Sequence, residues 1–175
     1  MSGQEPPTTH SARDRLLASG KALFARLGYE QASTSAIARE AGTSESQLVR
    51  YFGSKSGLLE AIFNESWSSL TEQIAPVAAQ APHSREAFLR ILNIVLAAFN
   101  RDHDLASIFL FEGRRVRGHD VALSKGFLSF YELVHQLIRK GQEDGSFRAD
   151  ISVDILGAAL LGCAEGMMRD RIIAE

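Results

Sequence analysis

The sequence predicts an all-α protein. Apolar residues recur at intervals of three and four along nearly the whole chain, and no segment alternates in the manner of a β-strand. Gly, Pro and Ser interrupt this pattern where one periodic segment gives way to the next. With 175 residues, of which 45% are apolar and 23% charged, the chain is long enough to bury a substantial core.

The first part of the chain predicts three short helices. The first covers Ser11–Leu27. The second covers Thr34–Ala41, with Ser33 as its N-cap, and the third covers Glu45–Phe52, with Ser44 as its N-cap. Serine favours these positions because its hydroxyl accepts a hydrogen bond from a free N–H group of the first turn.

The second and third helices have the spacing of a helix-turn-helix. Ala38 is small where the two helices cross, Gly42 supplies a left-handed turn, and Leu48 anchors the second helix. Ile37 and Phe52 add further apolar anchors. Because a helix-turn-helix places its second helix in a DNA groove, this motif predicts DNA binding.

A larger helical part follows. The helix after Ser84, which we predict as its cap, is apolar nearly all round, and this pattern favours an internal position packed on several sides. Pro76 and Pro82 are predicted to bracket a connection, and Arg114, Arg115 and Arg117 lie in a polar link. The predicted helices cover about 54–74, 84–99, 105–112 and 120–143, and the last runs from 152 or 154 to the end.

We therefore divide the chain into a flexible tail (1–10), a helix-turn-helix domain (11–54) and a larger helical domain (55–175). The boundary falls at the start of the fourth helix, so the two domains share an element. A movement in one domain would then tilt the other.

Charge argues for a small number of well-placed DNA contacts. The net charge is −2, with +1 in residues 1–60 and −3 in the remainder, so the chain is not a globally basic nucleic-acid binder. Affinity would come from a few phosphate contacts, doubled by dimerisation.

The sequence also predicts where the protein is found and which chemistry it lacks. It has no run of eighteen apolar residues, which predicts no membrane partner, and its single cysteine, Cys163, agrees with the reducing cytoplasm. No Gly-rich phosphate loop or activated nucleophile is present, and the histidines do not have metal-ligand spacing. We therefore predict no metal, no cofactor and no catalytic residues. The histidines that lack metal-ligand spacing are His83, His103, His119 and His135.

The stretch from Leu16 to Leu59 resembles the tetracycline-repressor (TetR) family of bacterial transcriptional regulators. The residues that carry the resemblance are Phe24…Gly28-Tyr29, Ile37-Ala38…Ala41-Gly42, Tyr51-Phe52 and Lys55…Leu58-Leu59. A looser likeness follows at Gly141…Gly145-Ser146-Phe147. The resemblance implies an all-helical homodimer that binds a pseudo-palindromic operator through its N-terminal domain and a small inducer through its C-terminal domain. Repression is the more usual outcome in the family.

The chain departs from the family on its predicted recognition helix. Ser46-Gln47 stands where Gly-Thr is frequent, and Val49 stands where an aromatic residue is frequent. The operator sequence therefore cannot be taken from a better-known relative. Many relatives also have one more helix, so we expect either a short member of the family or a chain truncated before a further helix that would follow Glu175.

Five side chains of the recognition helix are candidates for base reading. Gln47 can pair with adenine, Arg50 can pair with guanine O6 and N7, and Ser46 can contact either kind of base. Val49 can touch a thymine methyl group or simply pack. Glu45 can accept a hydrogen bond from cytosine or serve as a first-turn acid that favours the helix dipole.

Other polar residues are candidates for phosphate contacts, which fix the register without reading sequence. For the serines and threonines, helix capping is the alternative role. In the family, residues that match Tyr51 and Lys55 commonly hold the DNA backbone. The candidates are Ser33, Thr34, Thr43, Ser44, Tyr51 and Lys55.

Two further sites are predicted in the larger domain. Ala158, Gly162 and Gly166 lie at intervals of four and predict a close helix contact at a dimer interface, or packing against the helix of residues 120–143. Aromatic residues could line a cavity for an apolar or aromatic effector, although ordinary core packing is the alternative for each ring. These rings are Trp67, Phe99, Phe109, Phe127, Phe130 and Tyr131.

Two other functions compete with the DNA-binding regulator. One is a helical protein–protein adaptor that keeps the helix-turn-helix shape without binding DNA, which the mild charge balance and Glu45 favour. The other is a small all-α enzyme that uses Glu112, His119 or Cys163.

Overall fold

Eight α-helices make up the described parts of the chain. The computed structural model describes residues 11–112 and 125–173, and within these ranges no β-strand occurs, so the predicted all-α fold class is confirmed. The predicted tail 1–10, the arginines of the polar link and residues 120–124 of the predicted seventh helix lie outside the described residues. The helices are α1 (Ala12–Leu27), α2 (Thr34–Glu40), α3 (Glu45–Phe52), α4 (Lys55–Gln80), α5 (Ser84–Arg101), α6 (His103–Glu112), α7 (Lys125–Glu143) and α8 (Val153–Ile173).

The chain forms two compact units that divide within α4, between Ala61 and Ile62. The first unit contains α1 to α3 and the start of α4. The second contains the rest of α4 and α5 to α8. The functional division near residue 54 remains a prediction.

The first unit is a small three-helix core in which α1, α2 and α3 contact one another. Ser11 starts α1 in a capping box, since its hydroxyl accepts from Asp14 N at 3.1 Å and the Asp14 carboxylate accepts from Ser11 N at 3.1 Å. The centre of the unit consists of apolar side chains with at most 1% of their surface exposed. These are Leu16, Phe24, Ala32, Ile37, Leu48 and Leu58.

The turn between α2 and α3 has the geometry that the sequence predicts. Gly42 adopts a φ of +62°, a left-handed conformation that side chains disfavour. The N–H of Thr43 donates to Ala38 O at 2.9 Å, and the N–H of Gly42 donates to Arg39 O at 3.1 Å. This is a Schellman motif, which ends α2 and releases the chain towards α3.

The start of α4 lies directly against the end of α3. A Cβ atom on Gly57 would be 1.9 Å from the carbonyl oxygen of Phe52, so this contact requires a residue without a side chain. Ser54 caps the helix by accepting from Gly57 N at 3.0 Å. The first turn of α4 is therefore tightly fitted to the helix-turn-helix.

The C-terminal end of α4 differs from the prediction. We expected the helix to end near Ile74 and Pro76 to begin a connection, but α4 continues through Pro76 to Gln80. Proline cannot donate the helical hydrogen bond to the Glu72 carbonyl. Because Glu72 and Pro76 are both exposed, water can solvate that carbonyl, and the helix need not end.

In the second unit, α5 contacts α6, α7 and α8, as its largely apolar pattern predicts. Its buried side is formed by Ala87, Ile91, Val95 and Phe99. The opposite side faces solvent, where Leu89 is 49% exposed. The helix is therefore packed on several neighbours but is not enclosed.

The predicted Ser84 cap is wrong. The N-cap of α5 is His83, which makes no side-chain capping bond, and Ser84 is the first helical residue. Both the N–H and the hydroxyl of Ser84 instead donate to Asp144 Oδ2, at 3.2 and 2.7 Å. Asp144, which follows α7, thus caps α5 from a distant part of the sequence.

We expect this contact to make stability sensitive to acid. Hydrogen bonds from Ser146 and Ser84 hold the pKa of the Asp144 carboxyl well below its usual range. A depressed folded-state pKa gives stability that is present above the unfolded value of about 3.9 and is lost as the pH falls through the folded-state pKa. Asp144→Asn should lower the urea concentration at the unfolding midpoint at neutral pH. It should also make that midpoint decrease less steeply as the pH falls below about 4.

The matched control for this prediction is Asp170→Asn, which removes a carboxylate from an exposed position of α8. Urea unfolding followed by circular dichroism at several pH values measures both effects. If the two variants show the same pH profile, Asp144 does not stabilise the start of α5.

Within the described ranges, no helix is both long and apolar enough to cross a membrane.

Candidate nucleic-acid interface and ligand cavity

The recognition helix α3 has one buried side and one exposed side. Leu48 is completely buried, whereas Glu45, Ser46, Val49 and Arg50 are exposed. These four exposed positions are successive neighbours on a helix surface, because residues four apart lie one above the other. Four of the five predicted base-reading side chains therefore share one accessible face.

Arg50 and Tyr51 contact each other on this surface. The Arg50 guanidinium carbon lies 5.0 Å from the centre of the Tyr51 ring, and its terminal nitrogen donates to the Tyr51 hydroxyl at 3.2 Å. Both side chains are exposed. A cation that stacks on an aromatic ring keeps its charge accessible while losing some rotational freedom, so Arg50 is partly preorganised for a ligand.

Gln47 has a different environment from the other four candidates. Its side chain is half-buried, and its Oε1 atom is buried without a hydrogen-bond partner among the described residues. Its backbone N–H donates to the Ser44 hydroxyl at 3.3 Å, as expected near the start of a capped helix. The amide is therefore not displayed outward in this conformation.

Glu45 joins the two helices of the motif. Its carboxylate accepts from the Thr34 hydroxyl at 2.8 Å, which links the first turn of α3 to the first turn of α2. Two of the residues that we predict to contact DNA are therefore hydrogen-bonded to each other. Glu45 therefore has a structural role in this conformation, in addition to its predicted contact with a base.

The predicted phosphate contacts include the N-caps of both helices. Ser33 accepts from Ala36 N at 3.1 Å, and the Ser44 hydroxyl lies 2.8 Å from that of Ser46. Thr43 is half-buried in the turn. Capping does not prevent a phosphate contact, because the N–H groups of a helix N-terminus remain favourable for anions.

Lys55 is held by a residue that sequence reasoning missed. Its ammonium group donates to Tyr29 O at 2.9 Å and to Glu30 O at 3.4 Å, and it lies 4.4 Å from the centre of the Tyr29 ring. Tyr29 therefore positions the predicted phosphate-binding lysine. The signal was present in the Gly28-Tyr29 step, which we interpreted only as part of the family pattern.

The second unit contains a cavity of about 390 Å³. All six of the predicted aromatic residues line it, from Trp67 on α4 to Tyr131 on α7. Sequence reasoning missed the aliphatic part of the wall, which includes Ile91 and Leu92 on α5 and Leu161 and Met168 on α8. Their helical spacing was visible, but spacing alone does not distinguish a cavity wall from a packed core.

The aromatic rings both pack together and enclose space. Trp67 stacks on Phe130 with ring centres 4.9 Å apart, and it contacts Phe127 and Phe109 edge-on at 5.4 and 5.5 Å. These are the preferred geometries of aromatic pairs. Core packing and a cavity wall, which we treated as alternatives, coexist here.

Polar groups are sparse on the cavity wall. Among the described residues that line it, Glu165 is the one with an ionisable carboxylate, and Tyr131 contributes the one phenol. Both are half-buried. The cavity is therefore suited to a ligand with a predominantly apolar surface.

The predicted strip of small residues on α8 does not carry the packing against α7. That role falls to Gly157, where a Cβ would lie 2.6 Å from His135 Nε2. Ala158 and Gly162 are exposed at the rim of the cavity, and no atom of the described residues lies within 4 Å of a Cβ built on Gly162 or Gly166. The strip is accessible to a second helix.

Residues proposed for the competing enzyme do not form a described site. His119 and the side chain of Glu112 lie outside the described part of the chain, and Cys163 is exposed on α8. No group of three or more potential metal ligands occurs among the described side chains.

Comparisons with known proteins find similar bacterial regulatory proteins. A family model described as bacterial regulatory proteins of the tetR family matches residues 16–62, which include α2 and α3. The HTH-type transcriptional repressor KstR2 of Rhodococcus jostii is 26% identical over 145 residues, which cover 82% of this chain and 71% of the repressor. The nucleoid occlusion factor SlmA of Vibrio cholerae is 27% identical over 160 residues, which cover 87% and 79% of the two chains.

A solved structure shows the same fold over most of the chain. The transcriptional regulator FadR from Bacillus subtilis, in complex with stearoyl-CoA, superposes with a TM-score of 0.81 at 16% identity. The match covers 91% of this chain and 87% of FadR. At this identity the likeness concerns the fold.

Proposed function

Since this chain belongs to the tetR family of bacterial regulatory proteins, we propose that it is a homodimeric repressor of transcription whose operator binding changes when a small apolar molecule occupies the cavity. The observation that carries the DNA-binding part is the exposed face of α3, where Arg50 projects beside Tyr51. The observation that supports the ligand part is the cavity of about 390 Å³ in the second unit.

Base reading is proposed for the exposed face of α3. Arg50 pairs with guanine in the major groove, while Ser46 and Val49 contact neighbouring bases. Gln47 reads adenine after its side chain rotates outward. Tyr51, Lys55 and the caps Ser33 and Ser44 hold the phosphates on either side.

Two recognition helices are needed for a pseudo-palindromic operator. In a dimer they enter major grooves about 34–36 Å apart, or a multiple of that distance. We propose that the accessible strip of Ala158, Gly162 and Gly166 lies at the dimer interface. The exposed Ile155 and Met167 extend this surface, with 63% and 45% of their surface in contact with solvent.

Coupling between ligand and DNA is proposed to pass through α4. Trp67 of α4 lines the cavity, while Gly57 and Lys55 of the same helix contact Phe52 and Tyr29. A ligand regulates DNA binding only if it prefers one of two arrangements of the protein. We propose that the occupied cavity favours a position of α4 in which the two recognition helices no longer match their grooves.

The remaining assignments follow from this function. We propose a cytoplasmic protein without catalytic activity, because its relatives are regulators. The FadR structure holds stearoyl-CoA, which supports a ligand with a long apolar portion for the cavity of this chain.

A second candidate function is nucleoid occlusion, which the 27% identity with SlmA supports. A local regulator binds chiefly near its target genes, whereas a protein with a chromosome-wide role binds many dispersed sites. The adaptor without DNA binding is the third possibility, and it predicts no specific complex at all.

A gel shift against DNA from immediately upstream of the gene tests the proposal. We expect a discrete complex that survives competitor DNA and weakens as salt rises, because phosphate contacts release counterions. Mapping of bound sites across the chromosome separates a local regulator from nucleoid occlusion. The absence of any specific complex for the folded dimer would favour the adaptor.

The dimer interface is tested with Gly166→Leu. The added side chain meets open space within one chain but would obstruct a closely packed partner helix, so the dimer should dissociate about 5- to 150-fold more readily. Light scattering should give wild-type protein twice the mass of one 19.1 kDa chain. Asn93→Leu, at an exposed position of α5, is the control, and equal dimer stability in both variants would contradict this interface.

A further inference from the structure

We propose that Glu45 reads a cytosine in the major groove and that Thr34 is a positioning residue that holds the Glu45 carboxylate in place. This inference rests on the proposed function, since it concerns the operator contacts of the same recognition helix. The hydrogen bond from the Thr34 hydroxyl to Glu45 Oε2, at 2.8 Å, joins the two residues. Thr34 then has a role other than the predicted phosphate contact.

The Thr34 hydroxyl has already used the hydrogen that a phosphate contact would need. A hydroxyl group donates one hydrogen bond, and that of Thr34 goes to Glu45. The oxygens of a DNA phosphate are acceptors, so the Thr34 hydroxyl would have to release Glu45 before it could donate to one of them. That exchange would leave the charged Glu45 carboxylate without this donor, close to the DNA backbone. The Thr34 hydroxyl is therefore better placed to hold the carboxylate than to hold a phosphate.

The Glu45 carboxylate keeps acceptor capacity after it has bonded to Thr34. Thr34 contacts Oε2, and among the described residues no cation and no second donor contacts the carboxylate. An ionised carboxylate has about four acceptor sites, and the hydrogen bonds that it accepts are stronger than those between neutral groups. Because Glu45 is exposed, its second oxygen, Oε1, is available to a donor from outside the protein.

Glu45 lies where a recognition helix meets the edges of bases. It is the first residue of α3, and the N-terminal residues of a recognition helix contact base edges in the major groove. It shares the exposed face of α3 with Ser46, Val49 and Arg50. The bond from Thr34, in the first turn of α2, restrains the Glu45 side chain from outside its own helix. Less side-chain freedom is therefore lost when Glu45 binds a base.

Cytosine is the base that suits a carboxylate at this position. In the major groove cytosine presents the N4 amino group, which is a donor. Guanine presents O6 and N7, and thymine presents O4, and all of these atoms are acceptors that repel a carboxylate. Adenine presents an amino group beside the acceptor N7, which would repel the other carboxylate oxygen. Glu45 therefore favours cytosine and penalises the other three bases.

Selection from a pool of DNA duplexes of random sequence tests this assignment, because it does not require the operator to be known. The wild-type protein should enrich a C·G pair at the position that Glu45 reads in each half-site. Glu45→Ala should reduce the preference for that pair about fivefold or more, while the preferences at other positions remain. Glu72→Ala is the control, since it removes the same carboxylate from an exposed position of α4 in the second unit and should change no base preference.

Three further proteins isolate the role of Thr34. Thr34→Val keeps the shape of the side chain but removes the hydroxyl, so it should reduce the preference at the same C·G pair. Thr34→Ser keeps a hydroxyl and should restore that preference. In a protein that already carries Glu45→Ala, adding Thr34→Val should cause no further change at that pair, because a positioning residue acts only through the carboxylate that it holds.

The base preferences separate this assignment from its alternatives. If Glu45→Ala leaves every preference unchanged, base reading by Glu45 is overturned, while the sequence enriched by the wild-type protein still supports the regulator. If Thr34→Val has no effect or weakens binding to all sequences alike, as a phosphate contact or a merely structural bond would predict, the positioning role is overturned. A preference lost at an A·T pair overturns the choice of cytosine. If the wild-type protein enriches no sequence, both this inference and the proposed operator binding are overturned.

Discussion

Arg50→Ala is expected to reduce specific operator affinity by about 5- to 150-fold for each half-site. A good bidentate contact with guanine contributes about 1–3 kcal/mol of discrimination, and a dimer makes the contact twice. Arg50 is exposed and already held against Tyr51, so its loss removes a preorganised donor without disturbing the core. Gel shifts with the operator and with a scrambled sequence measure the ratio of specific to non-specific binding.

The control for Arg50 is Arg39→Ala. It removes the same charge from an exposed position of α2, outside the recognition helix. We expect this variant to change binding to both DNA sequences by the same factor, if at all, because a phosphate contact carries no sequence information. If Arg50→Ala retains the wild-type ratio of specific to non-specific DNA binding, Arg50 does not read bases.

Leu48→Ala is expected to lower the free energy of unfolding of the first unit by about 2–5 kcal/mol. Leu48 has no exposed surface, and it holds α3 to the three-helix core. Domains of this kind are stable by only about 5–15 kcal/mol, so this loss removes a large share of the stability that keeps the recognition helix in place. The urea midpoint should therefore fall, and operator binding should be lost at a lower urea concentration than in the wild-type protein.

Val49→Ala is the matched control, since it is the next residue of the same helix and is 53% exposed. Its truncation should cost less than about 1 kcal/mol of stability, as is usual for exposed positions. An equal loss of stability in both variants would mean that Leu48 is not the anchor of α3.

The helix-turn-helix could be predicted almost residue by residue because its signals are local. The predicted bounds of α3 agree with the structure, and those of α2 differ by one residue. Ser33 and Ser44 cap their helices through side-chain bonds, and Gly42 adopts the left-handed turn. Each of these signals depends on neighbours within four residues.

Features that depend on distant residues or on solvent were predicted less well. Pro76 does not end α4, because it lies in an exposed part of the helix where water can solvate the carbonyl that it leaves free. Ser84 does not cap α5, because Asp144, sixty positions along the chain, takes both of its donors. The local sequence pattern shows neither the solvation of a free carbonyl nor a capping residue that is distant in sequence.

The candidate sites could likewise be predicted only in part from the sequence. Residue type and helical position identified Arg50 as an exposed candidate, but they gave no sign that Gln47 is half-buried or that Tyr29 holds Lys55. The sequence identified the aromatic residues of the second unit, but it gave no indication that they line a cavity of about 390 Å³. The size of a void depends on how far apart helices are held, which periodicity does not encode.

The buried oxygen of Gln47 implies a conflict between stability and activity. A buried acceptor without a partner costs the free protein about 1–3 kcal/mol, and an apolar side chain of similar shape would remove that cost. After the side chain rotates outward, the amino group of adenine can supply the missing donor, so DNA binding relieves a penalty that the inward conformation carries. Selection for stability alone would replace Gln47 with leucine or methionine, and a thermostable variant obtained in that way would bind DNA with less discrimination.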